Sequence, residues 1–223
     1  MNCDLHERSC IDNVSIFSGL TKEEKDEIFS ISHHKTYNRG DIVYSAGEKK
    51  EQLFIVHQGK IKISRISSDG KEQVIRILTN GDFMGELSLF SGEPMSDYAE
   101  VLEKTSICMI DGKELKTYMM KHPEIAFKII EELSTRLEIA EELIEGINLH
   151  SVEWRLAHVL LKRANKNGIV LINTTKGNFA SQLGMSQETL SRKLALFEDK
   201  KWIKQLTMRK ILILDRNALS ELL

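Results

Sequence analysis

The sequence predicts an α+β chain made of two unlike halves joined by a long helix. Three observations carry this expectation. Short apolar runs punctuated by glycine fill residues 37–110, and an unbroken helical period follows Pro123. The chain then ends in a helix, a glycine turn and a second helix, bounded by strands. Divisions are expected at 1–120, 121–149 and 150–223. At 223 residues, 41% hydrophobic and 29% charged, the chain can bury a core in each half.

Taken in order, Thr21-Lys22-Glu23-Glu24 opens a helix, with Thr21 as N-cap and two glutamates where the helix dipole favours them. From Tyr37 to Ile110, glycines such as Gly40, Gly59 and Gly81 separate runs like Leu53-Phe54-Ile55-Val56. Lys60 to Ile66 alternates polar and apolar residues, as a half-buried strand does, and Ser68-Asp69-Gly70-Lys71 reads as a hairpin turn. Many short strands with frequent turns predict a barrel or sandwich.

Beyond Pro123, Ile130, Leu133, Leu137, Ala140, Ile144 and Ile147 recur at alternating spacings of 3 and 4 among glutamates. This is an a/d seam, and it predicts a dimerisation helix. A wider apolar stripe would be usual for a helix packed only on its own domain. A further helix from Val152 stops at Asn167-Gly168, followed by a strand over 169–172. Helices over Lys176–Leu183 and Gln187–Lys200 flank Gly184-Met185-Ser186, and Ile211–Leu214 forms a last strand. That order is a winged helix-turn-helix. In it, Ala180 is small where the helices cross, Leu183, Leu190 and Leu194 pack them, and Ser186 caps the second.

Charge is segregated along the chain. Residues 150–223 carry 13 Lys+Arg against 6 Asp+Glu, a balance of +7, while residues 1–149 stand at −9, giving −2 overall. A basic module behind an acidic one suggests double-stranded DNA as partner. On the second helix Glu188, Ser191 and Arg192 fall at i, i+3 and i+4, so they share a face. Arginine grips guanine O6 and N7 in two places, and glutamate accepts from cytosine N4. Against this stands a plain surface ion pair between Glu188 and Arg192. Gln187, Glu188, Ser191 and Arg192 are the candidate base readers. Lys176, Ser186, Thr189, Lys193, Lys201 and Arg209 are the candidate phosphate contacts.

The whole chain from about Phe17 resembles the CRP/FNR family of bacterial transcription regulators. Gly81-Asp82-Phe83-Met84-Gly85-Glu86-Leu87-Ser88-Leu89-Phe90 is similar to its effector cassette, and Glu188-Thr189-Leu190-Ser191-Arg192 resembles the E-x-x-S-R motif of its FNR branch. The resemblance implies an N-terminal β-roll, a jelly roll of the cyclic-nucleotide-binding type, then the long helix and the winged helix-turn-helix. It implies a homodimer on a palindrome of TTGA and inverted TCAA half-sites, with RNA polymerase as a further partner. Arg192 would hold the guanine, Glu188 the paired cytosine and Ser191 an outer thymine. Family members that bind cyclic AMP carry an arginine after this cassette. Pro94-Met95-Ser96-Asp97-Tyr98-Ala99 has none and offers an aspartate, so cyclic AMP is not expected. Gly85 and Glu86 are then read as turn residues of the β-roll.

Cys108 lies in a stretch resembling the segment of the FNR branch that holds its internal cluster-ligating cysteine, and Cys3 and Cys10 lie in the leader. A dithiol switch between Cys108 and a leader cysteine ranks first, inert thiols second and an iron–sulfur cluster third, since a cluster needs four ligands. His6, His33 and His34 give no metal signature, so a metal is unassigned. An odd cysteine count and no secretory signal predict a cytoplasmic protein without membrane attachment. No phosphate-binding glycine loop or nucleophile motif is present, so no enzyme is expected. The competing class is a cyclic-nucleotide-binding-like signalling or scaffold protein without DNA function.

Overall fold

The computed structural model describes Ile11 and residues 14–223. The chain divides into two compact units, 1–135 and 136–223, and the division falls inside the long helix.

In the first unit a helical turn at Ser15–Phe17 leads to α1 (Lys22–Ser30). Thr21 is the N-cap, as expected, and Glu24 completes a capping box with it. The Thr21 hydroxyl accepts from the Glu24 N–H at 3.3 Å, and the Thr21 N–H donates to Glu24 Oε2 at 2.7 Å. Eight strands follow: β1 (Ser32–Tyr37), β2 (Ile42–Tyr44), β3 (Gln52–Gln58), β4 (Ile61–Ile66), β5 (Glu72–Leu78), β6 (Phe83–Met84), β7 (Tyr98–Val101) and β8 (Thr105–Asp111). A short helix, α2 (Glu86–Ser91), separates β6 from β7. All pairs are antiparallel and form two four-stranded sheets, β1-β8-β3-β6 and β2-β7-β4-β5. The expected hairpin joins β4 to β5, with Ser67 N–H bonded to Lys71 O and Gly70 at φ +80°.

Tyr37, Tyr44, Phe54, Val56, Ile61, Ile63 and Val101 from both sheets fill the roll. The alternate residues of β3 and β8, Leu53, Ile55, Cys108 and Ile110, face the other way. They pack against Ile11, Phe17, Ile28, Leu115 and Ile125 from the leader and helices. The run Leu53-Phe54-Ile55-Val56 is continuously apolar because its strand is covered on both faces. Helix α3 (Gly112–Lys121) is capped by Asp111, and α4 (Pro123–Leu149) follows it.

The second unit holds the rest of α4, then α5 (Val152–Arg163), β9 (Ile169–Leu171), α6 (Lys176–Gln182), α7 (Gln187–Asp199), β10 (Ile203–Thr207), β11 (Lys210–Ile213) and α8 (Arg216–Ser220). Ser151, Thr175, Ser186 and Asp215 each cap the helix that follows. The strands pair in the order β10-β11-β9. Leu156, Leu160, Phe179, Leu183, Leu190, Leu194, Phe197, Ile203 and Ile211 make one core beneath α7. Among the described residues no helix is long and apolar enough to cross a membrane.

Candidate nucleic-acid interface

Helices α6 and α7 meet at Gly184, whose φ is +63°. A Cβ there would lie 2.8 Å from Ile147 Cδ1, so glycine is required both by conformation and by the side chain packed over the turn. The Ser186 hydroxyl accepts from the Thr189 N–H at 3.1 Å and starts α7. It also donates to Thr189 Oγ1 at 3.0 Å, so these two candidate phosphate contacts bond one another.

The candidate base readers fall on one side of the first two turns of α7. Gln187, Glu188 and Arg192 are exposed and Ser191 is half-buried. No ion pair joins Glu188 to Arg192 among the described residues, although i,i+4 spacing would permit one. The guanidinium and the carboxylate are therefore both available to an incoming ligand. The Ser191 hydroxyl donates to Gln187 O at 2.8 Å, a bond it would exchange on meeting a base. The Gln187 amide folds over α6, where a Cβ on Gly177 would stand 2.9 Å from Gln187 Oε1.

The candidate phosphate contacts divide. Lys201 and Arg209 are exposed, and Lys176 sits half-buried at the first turn of α6. Lys193 has a partner within the domain. Its Nζ is bonded to Glu153 Oε1 of α5, and that bond holds the Glu153 carboxyl below its usual range. The pair ties α7 to α5.

Along α4, Ile130, Leu137, Ile144 and Ile147 of the expected seam are exposed, as is Ala140. Leu133 is half-buried and packs against the core between sheet and helices. Phe127, 71% exposed and three residues before Ile130, extends the outward stripe and was not singled out from the sequence. The signal was its spacing of three residues from Ile130, on the same outward side of the helix.

In the β-roll, Gly85 is at φ +91°, and a Cβ there would meet Gln52 O at 2.5 Å. Glu86 corrects its reading as a turn residue. It is the first residue of α2, 2% exposed, and Arg76 Nη2 reaches its Oε1 at 2.9 Å. Arg76 was missed in sequence: it sits opposite Ile63 and two residues before buried Leu78 on β5, but its partner Glu86 comes from another element. Asp97 is also buried, hydrogen-bonded to Tyr44, and burial raises its pKa. This arrangement does not fit a cyclic phosphate: Glu86 engages the Arg76 guanidinium, and Asp97 adds a second carboxylate.

Cys108 is fully buried beside Ile55 and Ile110. Cys3, Cys10 and His6 lie outside the described residues. His33 and His34 lie on β1, and among the described residues no group of three His, Cys, Asp or Glu could hold a metal.

Comparison with known proteins decides what this architecture is. Residues 34–122 match the cyclic nucleotide-binding domain, and residues 154–222 match the Crp-like helix-turn-helix domain. The chain belongs to the CRP/FNR family. It is 27% identical over 199 residues to "Probable transcriptional regulator flp" of Lacticaseibacillus casei, covering 88% of this chain and 90% of that one. It is 29% identical over 191 residues to the CRP-like cAMP-activated global transcriptional regulator of Mycobacterium tuberculosis, covering 82% and 85%. The anaerobic regulatory protein of Haemophilus influenzae is 28% identical over 229 residues, covering 99% and 88%. In fold, the chain is similar to a CooA mutant from Carboxydothermus hydrogenoformans, with TM-score 0.77, 19% identity and coverage of 87% and 89%. FixK2 from Bradyrhizobium japonicum gives TM-score 0.72 at 22% identity, covering 86% and 97%. The chain is thus a CRP/FNR-type transcriptional regulator with a DNA-binding helix-turn-helix, in a family that is not enzymatic. A scaffold role without DNA is set aside.

Proposed function

We propose that this regulator binds, as a homodimer joined along α4, a palindrome of TTGA and TCAA half-sites about one helical turn, roughly 34–36 Å, apart. The observation that carries the reading is Arg192 and Glu188, exposed and unpaired with each other on the capped first turns of α7. Arg192 holds the guanine, Glu188 the cytosine paired to it, and Ser191 the outer thymine. Lys201, Arg209 and Lys176 set the register on phosphates. The exposed stripe Phe127, Ile130, Leu137, Ile144 supplies the dimer seam, and bound dimers recruit RNA polymerase from the cytoplasm. Selection from randomised duplexes tests the reading, and enrichment of motifs without a TGA core would sink it.

The effector is something other than cyclic AMP, because a phosphate entering the roll would meet Glu86 and Asp97. Micromolar binding of cyclic AMP in a calorimetric titration would overturn that. A thiol switch through Cys108 is the favoured control. Ile11, next to Cys10 in sequence, lies in the same core as Cys108. Oxidation by peroxide should change DNA affinity in the wild type and leave Cys108→Ser indifferent.

A further inference from the structure

The recognition helix is tied to the wing by a residue that the base-reading scheme does not use. Glu198 stands on the last turn of α7, seven residues and so nearly two turns beyond Ser191. Its Oε1 accepts from the Gln205 backbone N–H at 2.8 Å, and its Oε2 accepts from Gln205 Nε2 at 2.9 Å. These charge-assisted bonds, the backbone one first, hold the Glu198 carboxyl below its usual range. Gln205 lies on β10, an edge strand of its sheet, where the register with β11 shifts between Gln205 and Thr207. Glu198 thus satisfies a strand-edge N–H that would otherwise face solvent.

The connection between the two is equally determined. Trp202 N–H bonds Phe197 O at 2.9 Å, Lys201 N–H bonds Glu198 O at 2.9 Å, and the Phe197 and Trp202 rings lie 5.2 Å apart. This is a Schellman ending with its apolar contact, and Lys201 takes the left-handed position at φ +59°. The chain leaves the helix through one fixed turn and is clamped back to it at Gln205.

We propose that Glu198 and Gln205 are positioning residues for DNA binding. Their two-point bond sets the β10–β11 hairpin against α7, so that Arg209 and Lys210 meet the DNA backbone while Arg192 reads bases. An acid in a module of 13 basic and 6 acidic residues is unfavourable near phosphate unless it is engaged, and Gln205 engages both oxygens. This inference rests on the DNA-binding reading above.

The test is the salt dependence of affinity of the full chain for a TTGA-type palindrome, with melting temperature recorded for each variant. Glu198→Ala and Gln205→Ala should weaken binding and lower the slope of log affinity against log salt by about one to two per half-site, as phosphate contacts are lost. Discrimination against a duplex altered at the guanine should stay at its wild-type ratio. In the exchanged pair, Glu198→Gln with Gln205→Glu, the amide oxygen at 198 accepts the backbone N–H and its NH2 donates to the carboxylate at 205. Both bonds return with net charge unchanged, so the slope should return to wild type. Wild-type slopes in both alanine variants, or no rescue by the exchange, would overturn the clamp. A steeper slope in Glu198→Ala with no effect of Gln205→Ala would overturn it too, leaving Glu198 as a mere repulsive charge. Arg192→Ala, run alongside, separates this from failure of the DNA reading itself, which would show as unaltered base discrimination. Should Glu198→Ala fail to fold, Gln205→Ala and the exchange still decide the matter.

Discussion

Replacing Arg192 by alanine isolates base reading from folding. The guanidinium is exposed and joined to no carboxylate among the described residues, so its removal breaks no bond of the folded domain. Alanine is also the best helix former, and the melting temperature should hold. One arginine–guanine pair contributes about 1–3 kcal/mol of discrimination. A symmetric dimer presents two such arginines, so the loss on a full palindrome should be about 2–6 kcal/mol if the half-sites are independent. At tenfold per 1.4 kcal/mol, that is roughly 30-fold to 20,000-fold in affinity. Fluorescence anisotropy with the palindrome, and with a duplex changed at both guanines, reads the effect. The variant should bind the two duplexes alike, while wild type prefers the first. A variant that loses affinity equally on both, with the preference intact, would show that Arg192 grips phosphate and not guanine.

Leu137→Glu should give monomers in sedimentation, whereas Leu133→Ala should leave the dimer intact and cost about 1–2 kcal/mol of β-roll stability, since Leu133 packs inward. Ser186→Ala should lower the stability of the second unit by about 1 kcal/mol through loss of the α7 cap, read by thermal or denaturant melting. Asp97 gives a pH signature. Burial raises its pKa, so the folded chain keeps this proton to higher pH than the unfolded one, and stability falls as pH rises above about 4. Asp97→Asn removes that loss: it should raise the melting temperature at pH 7 and make little difference near pH 3. A destabilised variant at pH 7 would refute the sign.

Much of the architecture was legible because its signals are local. The capping box at Thr21, the β4–β5 turn at Gly70, the helical period after Pro123 and the glycine turn at Gly184 are each written within a few residues. What escaped depends on register or on distant packing. Arg76 finds its partner only when β5 pairs with β4 and α2 brings Glu86 beside it. Leu133 fits the heptad and Phe127 lies one position off it, and only the core at Ile125 and Leu115 decides which side each takes. Lys193 reads like any exposed lysine until Glu153, 40 residues earlier, is brought beside it. The α7 face was legible because Glu188, Ser191 and Arg192 lie within five residues, and a helix fixes their relation without help from the rest of the chain.

Three of the six acidic residues of the basic module are taken up by donors within it. Glu153 is spent on Lys193, Glu198 on Gln205, and Asp215 on the N-terminal turn of α8, where its carboxylate accepts from the Ala218 N–H at 3.0 Å. Each is held by a donor inside the domain, so its repulsion of phosphate is blunted. Glu188, Asp199 and Glu221 are exposed with no side-chain partner among the described residues, and of the three Glu188 stands in the first turn of α7. The helix dipole favours it there by only about 0.3–1 kcal/mol, a stabilisation that Asp or Glu on any helix could supply away from DNA. A free carboxylate at the tip of a recognition helix repels every duplex through its phosphates, and it is offset only where a cytosine amino group meets it. On the proposed reading, the same charge that weakens non-specific binding sharpens the choice of site.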